Sequence, residues 1–291
     1  MVLPREIVNA AIDGDSARVL AWLDADVSEE PRDVNDVDEN GITLLFSSTG
    51  DSYRMSDRHL ALARRLIDRG ADVNKTCKKG TATTVGLLSY GLLAHNLSHV
   101  NHMEEYSGIL HDFVLMLLRA GFDPNQSEVL KDNRFSTPLN TALIALKYHP
   151  TRHFLKIASE MLRAGASLDC VLDGKSIEAA MHVLRGAGPI VTTLLGDGQV
   201  KIVPDTHWVA LTKLVAEVRA AGGTWTAYRR QSRKDVLRLR SLVVRGRARS
   251  RRRATGGADP VIGRVLGLPN ELCWHVLKFW RATSDAIGEV I

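Results

Sequence analysis

Leu66-Ile67-Asp68-Arg69-Gly70-Ala71-Asp72-Val73-Asn74 is the stretch on which the reading of this chain turns. Its first half is the end of an apolar-periodic helix. Gly70 suits the C′ position, where the backbone takes positive φ and a Cβ is disfavoured. Its second half is a short extended hook, with Asp72 and Asn74 as turn formers whose side chains can hydrogen-bond nearby backbone. The pattern recurs as Leu117-Leu118-Arg119-Ala120-Gly121-Phe122-Asp123-Pro124-Asn125 and as Met161-Leu162-Arg163-Ala164-Gly165-Ala166-Ser167-Leu168-Asp169. Internal repetition decides architecture before any single motif does.

Aligning the helices on their terminal glycines extends the pattern. At positions −3, −4, −7 and −10 from Gly70 stand Ile67, Leu66, Ala63 and Leu60. From Gly121 they are Leu118, Leu117, Val114 and His111; from Gly165, Leu162, Met161, Ala158 and Leu155. Gly222 gives a weaker copy: Arg219, Val218, Val215 and Thr212. These offsets fall on one helical face. A helix pair apolar on one side cannot bury it alone, so the units must stack.

Upstream, residues 5–23 read as two short helices broken at Gly14-Asp15, with Asp33-Val34-Asn35 as an earlier hook. Thr43 is a plausible N-cap for a new helix. The pattern as a whole resembles ankyrin repeats. Gly70 to Asn74 matches that family's G-A-D-V-N hook as it stands. Thr137-Pro138-Leu139-Asn140-Thr141-Ala142 matches its T-P-L-H-x-A helix start, except that Asn140 replaces the histidine. Thr43-Leu44-Leu45-Phe46, Thr83-Thr84-Val85 and Ser176-Ile177-Glu178-Ala179-Ala180 are looser versions. The resemblance covers about residues 5–225 and implies a β-turn hook and two antiparallel helices per unit of roughly 33 residues. The glycines are 51, 44 and 57 residues apart. Insertions are therefore expected, with candidates at 95–106, 128–134, 148–152 and 186–204. The fold expected is an all-α helix-turn-helix repeat solenoid with β-turn hooks and a helical C-terminal extension. Its divisions are a repeat domain over 1–225, a basic helix and linker over 226–257, and a helical cap or box-like motif over 258–291.

Charge is unevenly spread. Residues 1–60 hold 13 Asp or Glu against 5 Arg or Lys, and residues 229–253 hold 12 Arg or Lys against the single acid Asp235. Such polarity reports on partners and solubility more than on fold. The amphipathic N-terminus carries acids and does not read as a secretory signal. Cys77, Cys170 and Cys273 form no C-x-x-C pair, so neither a disulfide framework nor a structural zinc site is indicated. The cytoplasm or nucleus is the expected compartment, and no run of apolar residues is long enough to span a bilayer.

Ankyrin-like repeats imply binding of proteins through the hook tips and the concave face of the first helices. The residues expected to contact a partner are Asp36, Asp38, Glu39, Lys75, Lys78, Lys79, Asp132, Asn133, Arg134 and Asp173. His95, His99 and His102 share one helical face by spacing, which is metal-ligand geometry. An exposed polar insertion is the plainer reading, and neither metal nor cofactor is expected. The sequence has no Gly-rich phosphate loop, no G-x-S-x-G and no H-E-x-x-H, so no enzymatic activity is expected.

The tail carries a second resemblance. Leu266, Leu268, Pro269 and Leu272, followed by Val276 and Leu277, are similar to the Leu-Pro-x-x-Leu helix start of F-boxes. They also look like the cullin-contacting part of the suppressor-of-cytokine-signalling box. Leu237 and Ser241 match the upstream helix of that box, while Arg245 stands where an apolar residue is expected. The implied role is an adaptor between a ubiquitin-ligase core and a substrate. The other reading of the tail is a cap that shields the last repeat. Finally, Arg247-Ala248-Arg249-Ser250-Arg251-Arg252-Arg253 could contact phosphates or serve as a nuclear import signal. The primary expectation is a non-catalytic protein-binding scaffold. A ligase adaptor and a nucleic-acid-associated protein are the alternatives.

Overall fold

The computed structural model describes residues 2–25, 32–49, 55–79, 83–85, 103–129, 135–148, 151–185, 190–194, 200–204 and 206–244. The chain divides into two compact units, Met1–Trp225 and Thr226–Ile291. No described helix is long and apolar enough to cross a membrane.

The first unit begins with α1 (Arg5–Ile12) and α2 (Ser16–Asp24). The break between them is made by Gly14 at φ +71 and by Asp15, whose carboxylate accepts from the Arg18 N–H and caps α2. The short α3 (Leu44–Ser47) is capped by Thr43, whose hydroxyl accepts from the Phe46 N–H at 3.2 Å. Then come α4 (Asp57–Asp68), α5 (Met103–Arg119), α6 (Pro138–Tyr148), α7 (Arg152–Ala164), α8 (Ile177–Arg185) and α9 (Thr206–Ala220). The long helices α4, α5, α7 and α9 lie side by side in that order. The shorter α3 packs on α4, α6 packs on α7, and α8 lies against α6. The second unit contains α10 (Trp225–Val244), which begins at the last residue of the first.

At the coarse level the expected helical class is present. The hooks, however, extend further than turns. Among the described residues β1 (Cys77–Lys79) pairs with β2 (Thr83–Val85), and β3 (Glu128–Val129) pairs with β4 (Phe135–Ser136). Likewise β5 (Ile190–Leu194) pairs with β6 (Val200–Pro204); all three ribbons are antiparallel. Thr83-Thr84-Val85, expected as a loose helix start, is therefore a strand. Three consecutive β-branched residues favour that outcome. The expected insertion at 128–134 falls at β3–β4, in the hook before α6, whereas that at 186–204 falls at β5–β6, between α8 and α9 in sequence.

Four helices end in one way. Gly70, Gly121, Gly165 and Gly222 have φ of +88, +90, +103 and +117. At each, two successive N–H groups bond back to carbonyls of the last turn, as from Gly70 to Ile67 and from Ala71 to Leu66. This is the left-handed glycine cap that satisfies otherwise orphaned carbonyls.

The buried face of these helices is rotated from the expected one. Positions −4 and −7 are buried in all four helices: Leu66 and Ala63, Leu117 and Val114, Met161 and Ala158, Val218 and Val215. The remainder of the core comes from −8 and −11, through Leu62, Phe113 and Ile157 and through Leu110, Phe154 and Leu211. At the expected positions −3 and −10, Ile67, Leu60, Leu118, His111 and Leu155 are only half-buried, whereas Leu162 at −3 is buried. Offsets of 4, 7, 8 and 11 trace the 3.6-residue period, so the core stripe is centred there. In α4 the −11 position is His59, 3% exposed. Its Nδ1 meets the Ser56 N–H at 3.2 Å and Oγ at 2.8 Å, and its Nε2 donates to the Ile12 carbonyl at 2.8 Å. A buried imidazole is tolerated there because both nitrogens have partners.

Candidate protein-binding surface

The hooks are joined by a repeated bridge. Asn35 Nδ2 donates to the Gly70 carbonyl (3.1 Å) and its Oδ1 accepts from the Asp72 N–H (2.7 Å). Asn74 does the same with Gly121 and Asp123, at 3.0 and 2.7 Å. Asn125 does the same with Gly165 and Ser167, again at 3.0 and 2.7 Å. One amide thus serves as donor and acceptor to the next hook, which fixes spacing and orientation together. Within each hook the side chain two residues earlier caps the backbone. Asp33, Asp72, Asp123 and Ser167 accept from the N–H groups of Asn35, Asn74, Asn125 and Asp169. The following residue also reaches back, with Lys75 Nζ donating to the Asn35 carbonyl at 2.5 Å and Gln126 Nε2 to that of Asn74.

The series ends in a charge pair. Asp169 occupies the position of the three asparagines and accepts from Arg219 Nη1 at 2.6 Å. Arg219 also donates to the Leu168 carbonyl and, through Nε and Nη2, to both carboxylate oxygens of Glu178 at 2.8 and 3.0 Å. These bonds hold the Glu178 carboxyl at about 2, well below the usual range, and raise the Arg219 guanidinium. The sequence alignment placed Arg219 at an apolar position of a weak repeat; its task is to close the row.

The tips stand beyond these bridges. Asp38 Oδ1 accepts from the N–H groups of Asn40 (2.9 Å) and Ile42 (2.8 Å), and Val37 bridges Thr43 across the turn. Glu39 is exposed at its apex, and the Asp36 carboxylate accepts from the Asp33 N–H. Lys78 and Lys79 lie on β1, opposite Thr84 and Thr83. In the last tip Asp173 takes φ +48 beside Gly174 at +72, and its carboxylate accepts from the Phe135 N–H at 2.8 Å. Leu172 bridges both Lys175 and Ser136, which joins this turn to β4.

Of the residues expected to face a partner, Asp38, Lys75 and Asp173 are thus engaged in holding the tips. Glu39 and Asp173 are exposed. Asp132, Asn133 and Arg134 lie outside the described residues, as do His95, His99 and His102. So do Leu266, Leu268, Pro269, Leu272, Val276 and Leu277 of the box-like motif. No grouping of three or more His, Cys, Asp or Glu among the described residues is arranged to hold a metal ion. Sequence reasoning missed Phe135, which stands on β4 at 57% exposure. Ser136 beside it faces inward at 2%, the alternation of a strand, which becomes a signal only once the strand is known.

No protein-family model and no curated protein matches this sequence. The functional reading therefore rests on the arrangement of the hooks and tips.

A different polar cluster lies between α5 and α7. The rings of His111 and His153 are 6.1 Å apart. Glu104 bridges the helices, meeting Arg152 Nε at 2.9 Å and His153 Nε2 at 3.4 Å. His111 Nδ1 lies 3.6 Å from the Asp112 carboxylate. Burial is the largest influence on both rings and pushes their pKa values down.

Proposed function

We propose that residues 1–225 form a stack of ankyrin-like repeat units that binds a protein partner, without catalysis, along the edge made by its hook tips. The observation that carries this reading is the asparagine bridge, made three times with the same donor, the same acceptor and closely matching distances. A series of hooks keyed to one another sets its tips at fixed intervals. A pre-spaced row of loops on a rigid support suits binding to an extended surface, because little entropy is lost when it docks. Exposed Phe135 on one tip supplies the kind of aromatic anchor in which interfaces are enriched.

The test is affinity capture with the intact chain and with a variant carrying Glu39→Lys, Lys78→Glu, Lys79→Glu and Phe135→Ala. The expected result is a partner retained by the natural chain and lost at least tenfold by the variant, with both melting at the same temperature. Equal retention by both proteins, or nothing retained above background by the natural one, contradicts the proposal.

A further inference from the structure

The chain carries a net charge of +5, yet residues 229–253 alone hold 12 Arg or Lys against one acid, a net +11. The remainder is therefore net negative. Charge that served solubility alone would be spread over the surface with both signs interspersed. Here the positive charge is gathered in one stretch of the sequence, and the first part of it lies on the regular helix α10.

The helical register sorts this helix into two sides. At 3.6 residues per turn, positions 229, 233 and 240 fall within roughly 40° of one another, and positions 230, 234 and 238 form the adjoining row. These are five arginines and one lysine, against one acid, Asp235. Arg229, Arg230, Lys234 and Arg238 are exposed. By the same register Trp225, Tyr228, Val236, Leu239 and Val243 fall on an arc that adjoins the 229/233/240 row and lies opposite the 230/234/238 row; Trp225 and Tyr228 are half-buried, as is Leu237 between the two basic rows. The cations recur at i, i+4, a stride of about 6 Å along the axis, comparable with that between phosphates of one nucleic-acid strand.

We infer that the basic face of α10 is a binding site for the phosphate backbone of a nucleic acid. The predominance of arginine points to phosphate: the guanidinium fork presents paired N–H donors that match phosphate oxygens bidentately, which an ammonium does not. The face carries no array of Asn, Gln or aromatic side chains for reading bases, so it recognises backbone charge and not sequence. An anionic lipid surface is less well served, because the aromatic groups of the other side are not free to insert. The inference does not depend on the hook tips having a protein partner.

Fluorescence anisotropy with the full chain tests this. The probes are labelled single-stranded RNA, single-stranded DNA and duplex DNA of about 20 nucleotides, with phosphatidylserine-containing vesicles as the competing polyanion. Binding to at least one oligonucleotide weakens at least about tenfold between 50 and 200 mM salt, the fall expected of two phosphate contacts from Arg230 and Lys234. The three oligonucleotides identify which polymer supplies the phosphates. The double variant Arg230→Gln/Lys234→Gln keeps its helical circular dichroism, binds more weakly, and has a salt slope smaller by roughly two. The charge-conserving pair Arg230→Lys/Lys234→Arg retains binding. Four results overturn the inference: no oligonucleotide binding, a flat salt response, vesicle binding alone, or the same slope in the double variant. In the last case, loss of binding on changing Arg251, Arg252 and Arg253 would assign the contact to that run. The tip variant Glu39→Lys/Lys78→Glu/Lys79→Glu/Phe135→Ala should retain α10-dependent salt sensitivity, which separates this outcome from that of the protein-binding test.

Discussion

The Asn74 side chain makes two hydrogen bonds to the hook of the next unit, and its backbone N–H donates to Asp72 of its own. It was legible in the sequence as a turn former four residues beyond a glycine. Its partners were not, because Gly121 and Asp123 are 47 and 49 residues away and no local pattern announces such a bond. Each net intramolecular hydrogen bond contributes about 0.5–1.5 kcal/mol. Asn74→Ala or Asn125→Ala should therefore lower the unfolding free energy by about 1–3 kcal/mol in chemical denaturation. Asn→Asp should fail to rescue, since a carboxylate cannot donate to the Gly121 or Gly165 carbonyl. The glycines behave differently. A Cβ built on Gly165 meets nothing within 4 Å, but its φ is +103. Gly165→Ala should cost about 1–2 kcal/mol from backbone strain alone, with no change in the packing of neighbours. A cost near zero would mean that this cap tolerates a side chain.

At the scale of the element, the helical periodicity placed α4, α5, α7 and α9 but set their core face one position off. At −3 and −10, Leu60, Leu118 and Leu155 are apolar yet only half-buried, whereas Leu162 is buried. The fully buried Phe113 and Phe154 mark the true centre. Phe154→Ala should cost about 3–5 kcal/mol and leave a cavity, whereas Leu155→Ala should cost clearly less. Denaturant midpoints at constant slope would decide between them.

The histidine pair makes α5 and α7 sensitive to acid. Both rings have folded pKa values below the ordinary 6.5. The unfolded chain therefore takes up their protons first as pH falls, and stability declines from about pH 6.5 downward until the folded values are passed. Protonation also sets two like charges side by side, near Arg152 and Lys156, with Glu104 and Asp112 in partial compensation. A variant with His111→Gln and His153→Gln should lose this decline below the ordinary histidine value of 6.5. Glu178 governs a separate, more acid limb. Its folded value of about 2 is below the usual 4.5, so its contribution is full above 4.5 and is lost as pH falls through about 2. Arg219→Gln should flatten that limb and leave the histidine limb unchanged. Thermal melts across pH resolve the two.

For the molecule as a whole, the uneven glycine intervals of 51, 44 and 57 residues have a structural location. Each interval contains a described antiparallel ribbon, β1–β2, β3–β4 or β5–β6, while the glycine caps at both ends keep one geometry. Two of the ribbons, β1–β2 and β3–β4, belong to hook tips, as expected where binding loops stand on a rigid support, whereas β5–β6 lies between α8 and α9 in sequence. The helical class and the hooks could be read from sequence because both depend on local spacing. The ribbons were harder to read, since Thr83-Thr84-Val85 suits a helix start as well as a strand until its pairing with Cys77 to Lys79 is known. Exposed Phe135 was missed for the same reason, as strand alternation has no meaning before the strand is recognised.

The central claim is that the row of tips receives a protein. It is tested most directly by amide hydrogen exchange on the intact chain, alone and bound to the partner that it captures. The account predicts added protection at residues 37–43, 77–85, 128–136 and 171–175, with exchange in α4, α7 and α9 unchanged. Protection concentrated on those long helices, with the tips exchanging as in the free protein, would contradict it.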